Sequence, residues 1–438
     1  MFDIEKTKNY LIEICDANRN FTLDQKKSAD YWWYKKDQTV YLDADSLNKF
    51  FDVLTEIREI TSIKNNFHKE KIKETIQDLL SDAIKISKED QAVFIENELI
   101  KINSEFKSEI KNWTFLVPLF NLNMERNFSV GDVEFFKFDE NVVSEVFEEL
   151  DKEEPFYKFY IKPNIGLIYA RASALGAETT AYNMALYKIR LAINIIKFFV
   201  DPSFFQFGLI GELPKPEYRT IFYHDDNDNQ IGSKQLVGRP PDFRIDNQFI
   251  ENPFFREIDS ILKDPNSSAF EKRLLIAVYW YGESINVQYD EKERIYERRD
   301  EEHDNLEYFK IGEGMIKLFT SLESVLLKDN EGNKKRNLSK RGSKLLSETE
   351  PQQIKYYEPN LKFLYYIRGK IVHNGNNSAL ANEFTELNKY VNNILCHLII
   401  LNKKYKFKSV NRLVKYLDKT SITQINDDLN ETFSQNMI

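Results

Sequence analysis

The run Tyr365-Tyr366-Ile367-Arg368-Gly369-Lys370-Ile371-Val372-His373-Asn374-Gly375 holds the residue types and spacing best suited to chemistry, an arginine and a histidine five positions apart. An arginine offers planar, bidentate contact to phosphate oxygens and stays charged. A histidine exchanges a proton near neutral pH. At one site, the two can grip a phosphodiester and move protons without a metal. The plain structural alternative for such a pattern is a surface arginine in a salt bridge and a histidine capping carbonyls.

The motif reads as the end of a long helix. Asn374-Gly375 supplies residues that tolerate the left-handed conformation of a helix C-terminus, so the helix should stop near His373, at the negative end of its dipole. Five residues at about 100° each place Arg368 and His373 about 140° apart around a straight helix. They converge if the helix unwinds at its end, or if two subunits pool their motifs across a symmetric interface.

The elements that must position this motif follow from apolar spacing. Residues 1–111 read as a helical region, with Asp45–Ile63, Lys69–Ile86 and Lys88–Ile110 carrying Leu, Ile and Phe at helical intervals. Trp32-Trp33 reads as structural. From Trp113 the pattern turns β-rich, and residues 112–262 read as an α+β middle domain. Its expected strands are Trp113–Leu122, the alternating stretch Asn127–Phe138, Phe156–Ile161, Ile165–Ala170, Tyr218–Tyr223 and Asp242–Ile245. A helix is expected over about 177–199, stopped by Pro202. Lys263-Asp264-Pro265-Asn266-Ser267-Ser268 reads as a linker. Five helices should follow, at about 269–287, 305–327, 338–347, 352–373 and 378–404, with a shorter one at about 410–417. Together residues 269–418 suggest a helical bundle, and 419–438 a tail. The fold class expected is mainly α with an α+β middle region.

The chain has 438 residues, 14 % of them aromatic, with 33 Phe and 23 Tyr, enough for a large core. A net charge of −9 argues against wholesale coating of nucleic acid but leaves room for a local phosphate site. Basic residues gather at Lys334–Lys344 and Lys403–Lys415. Cys15 and Cys396 are far apart and form no CxxC, which fits a reducing compartment. The charged start MFDIEKTKNY lacks the apolar run of a signal peptide, and apolar stretches such as Leu191–Val200 are too short to span a bilayer. A cytoplasmic protein without membrane partners is expected.

Other candidates fall away. His224-Asp225-Asp226-Asn227-Asp228-Asn229 lacks the glycine and bidentate glutamate of a calcium loop and reads as a polar turn. His68, His303 and His397 have no partner at zinc-ligand spacing. Gly312-x-Gly314 lies inside a helix rather than after a strand. No metal and no cofactor is expected.

Residues from about 269 to 404 resemble the Apea-like branch of the HEPN superfamily. Four features carry the likeness, in the order the family has them: Leu274-Leu275-Ile276-Ala277-Val278-Tyr279-Trp280-Tyr281; Leu318-Phe319-Thr320-Ser321-Leu322-Glu323-Ser324-Val325-Leu326-Leu327; Leu338-Ser339-Lys340-Arg341-Gly342-Ser343-Lys344-Leu345-Leu346; and Arg368 to His373 with Asn374-Gly375. The resemblance covers about a third of the chain and implies an all-helical domain that forms homodimers. Many such domains are metal-independent endoribonucleases, often toxins or effectors of anti-phage defence. By that likeness, Arg368 binds the scissile phosphate. His373 exchanges protons with the 2′-hydroxyl or the leaving 5′-oxygen. Glu323 orients Arg368, and Lys370 and Asn374 add donors. RNA would be the substrate, the product a 2′,3′-cyclic phosphate, and the N-terminal half a sensor for a phage-derived trigger or a regulatory partner. The residue after the arginine is polar in many active members and is Gly369 here; a small residue also occurs there in the Apea-like branch. The other reading is a catalytically inactive dimerisation or adaptor domain.

Overall fold

The computed structural model describes residues 3–59, 67–146, 151–155, 157–200, 208–209, 219–224, 231–236, 243–295, 304–347, 351–374 and 381–436. It is mainly helical, with a small sheet region in the middle. The chain divides into two compact units: Met1–Phe115 with Ala172–Tyr187, and Leu116–Arg171 with Lys188–Ile438. Residues 172–187 thus belong with the N-terminal unit, an assignment that apolar spacing along the chain does not suggest.

The first unit contains helices α1 (Ile4–Asn20), α2 (Leu23–Lys27), α3 (Ala44–Arg58), α4 (Lys69–Ala83) and α5 (Lys88–Glu109), and the hairpin β1 (Tyr31–Lys35) and β2 (Gln38–Leu42). Asp3, Thr22, Asp43, His68 and Ser87 cap the five helices with side-chain acceptors. The hairpin is an element that a mostly helical reading passes over. Lys36 and Asp37 turn it with φ of 49° and 58°, the left-handed pair that matches strand twist. Strand alternation then splits the tryptophans. Trp33 points into the core and donates from its indole to Ser81 Oγ at 3.2 Å, while Trp32 stays 61 % exposed. Leu11, Ile14, Phe50, Val53, Ile76, Leu80, Ile95 and Leu99 fill that core.

In the middle region, β3 (Lys111–Phe120), β4 (Leu122–Met124), β5 (Phe128–Val130) and β6 (Val133–Lys137) precede α6 (Glu140–Val146). β7 (Ile168–Gly176), α7 (Glu178–Phe198) and the short strands β8 (Gly208–Leu209), β9 (Arg219–His224), β10 (Ile231–Leu236) and β11 (Phe243–Ile245) follow. The largest sheet has the order β5-β6-β7-β3-β8. The expected strand at Phe156–Ile161 is not one. Tyr157–Ile161 is a π-helical turn running into a 3-10 turn at Lys162–Asn164. Tyr157 and Ile161, four apart, are the buried pair, and Phe159 and Tyr160 are exposed. That is helical rather than alternating burial. The turn expected after His224 lies outside the described residues.

Two helices not foreseen, α8 (Asn247–Glu251) and α9 (Pro253–Lys263), lead to the C-terminal array. Asn252 caps α9 and Pro253 opens it, an ordinary start signal. The array comprises α10 (Ala269–Ile295), α11 (Asp304–Leu326), α12 (Lys334–Leu346), α13 (Pro351–Asn374), α14 (Ala381–Tyr405), α15 (Val410–Lys419) and α16 (Ile422–Asn436). Residues 422–436 of the expected tail are therefore a packed helix: Ile425, Asp428, Leu429 and Thr432 of α16 are buried. α14 is the central helix, with Leu387, Val391, Ile394, Leu395, Leu398 and Leu401 fully buried. Tyr281 of α10 donates to its Asn388 at 3.0 Å, and its His397 bonds the Leu345 carbonyl of α12 at 2.6 Å. Close approaches rest on glycine. A Cβ on Gly282 would lie 2.5 Å from Asn194 of α7, and one on Gly342 would lie 2.9 Å from Leu361 of α13.

Two charged anchors hold the array. Arg341, 4 % exposed, donates to Glu331 at 2.7 and 2.8 Å, to Asp418 at 2.9 and 3.0 Å, and to the Leu326 carbonyl at 2.8 Å. Its guanidinium holds both carboxyls below the usual range. Asp428 accepts from Lys404 at 2.7 Å, Tyr405 at 2.7 Å, Gln424 at 3.1 Å and Tyr416. Burial alone would push the Asp428 carboxyl up, but these donors outweigh it and hold it at about 2. Among the described residues, no helix is long and apolar enough to cross a membrane.

Arg341→Ala strands two carboxylates and should destabilise the protein by roughly 3–5 kcal/mol, read from the urea midpoint. A loss under about 1 kcal/mol contradicts the anchor. Asp428 titrates lower when folded than unfolded, so its contribution is present above the unfolded value and lost as pH falls towards about 2. Asp428→Asn should therefore be less stable than wild type near neutral pH. The gap in urea midpoint should close as pH drops from about 5 to about 2; a constant gap rules the titration out.

Candidate active site

α13 carries the Arg/His motif and is held by the burial of Leu361, Leu364 and Ile367. It stays helical through Asn374, so unwinding does not bring Arg368 and His373 together. They stand about 7.5 Å apart along the axis and about 140° apart around it.

Arg368 lies against α11. Its Nη2 is 3.5 Å from Glu323 Oε1, its guanidinium carbon lies 5.6 Å from the centre of the Tyr365 ring, and each ion-pair side chain is 20 % exposed. Tyr365 donates its hydroxyl to the same Glu323 oxygen at 2.8 Å. Burial, then that bond, pushes the Tyr365 phenol up to about 12, so it remains a donor at neutral pH. Arg368 Nε is buried and has no hydrogen-bond partner among the described residues. The guanidinium is thus oriented by one carboxylate and one ring, with a donor left over.

His373 is exposed at the last turn. Lys370 lies with its ammonium 4.7 Å from the Tyr366 ring. A Cβ on Gly369 would meet nothing within 4 Å, so the flank of the helix between Arg368 and His373 is open. Asn374 is the last residue of α13, and its side chain, like Gly375, lies outside the described residues. The structure therefore brings Arg368 and Glu323 together, and leaves Lys370, two residues on, and His373 on other sides of the helix.

Sequence reasoning passed over two features. Tyr365 braces Arg368 through Glu323; its place three residues before the arginine, one helical turn away, was the available signal. The other is an exposed aromatic face on α13, with Tyr356 58 %, Phe363 55 % and Tyr366 51 % exposed. Their spacing of seven and three residues is the signal, hidden because aromatic residues read as core.

The basic runs divide. Arg341 is the buried anchor, and Lys344 donates to the Leu417 and Thr420 carbonyls at 2.6 and 2.9 Å. Lys334, Lys335, Arg336 and Lys340 are exposed. Further on, Lys403, Lys404 and Lys406 pair with Glu257, Asp428 and Glu431. Cys15 and Cys396 are free thiols that burial pushes up to about 12, unsuited to act as thiolates. His68 caps α4, Gly312 and Gly314 lie within α11, and His303 lies outside the described residues. Among the described residues, no three His, Cys, Asp or Glu side chains cluster as a metal site would require. No protein-family model matches the chain, and comparison with curated proteins and with solved structures returns no significant match.

Gly369 is a helix-interior glycine with free space where a side chain would go. Gly369→Ala should raise stability by about 0.5–1 kcal/mol in urea melts. A loss of stability would show that the flank is filled.

Proposed function

We propose that this protein is a metal-independent endoribonuclease whose C-terminal helical domain, residues 269–418, is of HEPN type and works as a homodimer. The observation that carries the reading is the state of Arg368: oriented by Glu323 and Tyr365, with its Nε unpartnered, and beside the open flank at Gly369. A guanidinium held in this way suits a phosphodiester that arrives along that flank. The resemblance of four ordered segments to the HEPN superfamily supports the same reading.

In this mechanism, Arg368 grips the non-bridging oxygens of the scissile phosphate and stabilises the charge that builds on them. One imidazole takes the proton from the 2′-hydroxyl as its oxygen bonds to phosphorus. The P–O5′ bond breaks, and the 5′-oxygen receives a proton from a second imidazole. The products are a 2′,3′-cyclic phosphate and a 5′-hydroxyl. The 140° divergence on one helix means that a phosphate held by Arg368 takes its proton relay from the His373 of a second copy. Lys370 and Asn374 supply further donors. The cellular role proposed is a toxin or anti-phage effector held in check by the N-terminal half until a phage-derived trigger or regulatory partner binds.

A second reading is favoured by the same ion pair. Arg368 engaged with Glu323, and Gly369 where many active members carry a polar residue, would suit a catalytically inactive pairing or adaptor domain.

The two are separated by incubating wild type, Arg368→Ala and His373→Ala with total RNA in EDTA, and by expressing each in cells. The nuclease reading predicts cleavage by wild type, with each substitution lowering the rate by about 10²–10⁴-fold. Equal behaviour of all three, with a trigger supplied, selects the adaptor.

A further inference from the structure

The exposed aromatic face of α13 has no role in the chemistry above. Tyr356, Phe363 and Tyr366 are each more than half exposed, an unusual concentration of large rings on one helix surface. The rings are not loose. Tyr356 packs edge-on to Tyr357 at 5.3 Å, and Tyr357 packs edge-on to Tyr390 of α14 at 5.4 Å. Lys370 lies over Tyr366. Interleaved with the rings are three cations, Lys355, Lys362 and Lys370, and one acid, Glu358, which pairs with Lys362 at 2.5 Å. Leu, Ile and Val, the residues a buried helix seam would use, are missing from this sector.

We infer that this face is a track for single-stranded RNA, on which unpaired bases stack on Tyr366, Phe363 and Tyr356 while the lysines meet the phosphates. Every base has a π-face, so rings alternating with cations bind single strands with little sequence preference. The track rises along α13 and ends at His373, about 10.5 Å beyond Tyr366. A strand laid on it delivers a phosphodiester to His373, where the Arg368 of a second copy grips it. The net positive balance of the face complements a polyanion, although the chain as a whole carries −9. The inference rests on the endoribonuclease reading for the occupant's identity, and it deepens that reading by restricting the substrate to unpaired RNA.

The test uses the full-length protein and a fluorescent 2′-O-methyl oligouridylate, which has no free 2′-hydroxyl to attack and so reports binding whether or not the protein cleaves. In fluorescence anisotropy with EDTA, wild type should bind, and more weakly as salt rises. Phe363→Ala with Tyr366→Ala should weaken binding by roughly tenfold or more, while Tyr366→Phe, which keeps the ring, stays within about threefold of wild type. The side chains are exposed, so circular dichroism and thermal midpoint should not change. No binding by wild type, or equal binding by the double variant, overturns the track even if cleavage by Arg368 and His373 is real. If sedimentation equilibrium shows the double variant turning a wild-type dimer into monomers, the face belongs to a second copy of the chain and the inference falls. Binding by wild type that the double variant loses, with no RNA cleaved by wild type even when a trigger is supplied, keeps the track while sinking the nuclease reading.

Discussion

Arg341 is the buried charge on which the C-terminal helices depend. Its five donors leave little slack: two carboxylates and a carbonyl, from the loop before α12, from α15 and from the end of α11, take them up. A guanidinium at 4 % exposure is tolerated only when it is paired and hydrogen-bonded in full, because desolvation otherwise exceeds the attraction. Satisfying it fixes where three elements meet. At the next residue, Gly342 lets Leu361 of α13 pack tightly against α12, so the same helix that anchors the array also seats the motif helix.

With α13 seated, the surroundings of Arg368 follow. Its neighbours Leu364 and Ile367 are buried, so the arginine is carried to the edge of the packed face, where Glu323 on α11 reaches it. Tyr365 closes the cluster. About a turn and a half of helix then separates this oriented, largely buried charge from an exposed imidazole. The two side chains differ in environment: the Arg368 guanidinium is held by partners in a partly desolvated niche, where its interactions are stronger, and the His373 imidazole is left exposed.

Much of the array was legible because its helices are long and strongly periodic. α10, α11, α13 and α14 fall within a few residues of where apolar spacing puts them, apart from the C-terminal extension of α10 to Ile295. What spacing could not reveal was decided by tertiary partners. Residues 422–436 are polar enough to read as a tail, and they fold as α16 because Asp428 meets Lys404, Tyr405 and Tyr416 on other helices. The hairpin at 31–42 depends on two left-handed residues, Lys36 and Asp37, neither of them a glycine. The run Phe156–Ile161 suggested a strand by composition, yet Tyr157 and Ile161, four apart, are the buried pair. At the candidate site the motif was readable from residue types alone. The role of Tyr365 was not, since it is transmitted through Glu323, 42 positions earlier.

We propose that a phosphate held by Arg368 draws its proton relay from a second copy. Mixing makes that claim testable. Arg368→Ala and His373→Ala proteins, each inactive alone, are unfolded together in urea, refolded as a mixture and assayed on a defined RNA in EDTA. A site shared between copies predicts that the mixture recovers cleavage and leaves 2′,3′-cyclic phosphate ends, because mixed dimers join an intact Arg368 to an intact His373. A mixture as inactive as its components, beside a wild-type control that refolds and cleaves, would contradict it.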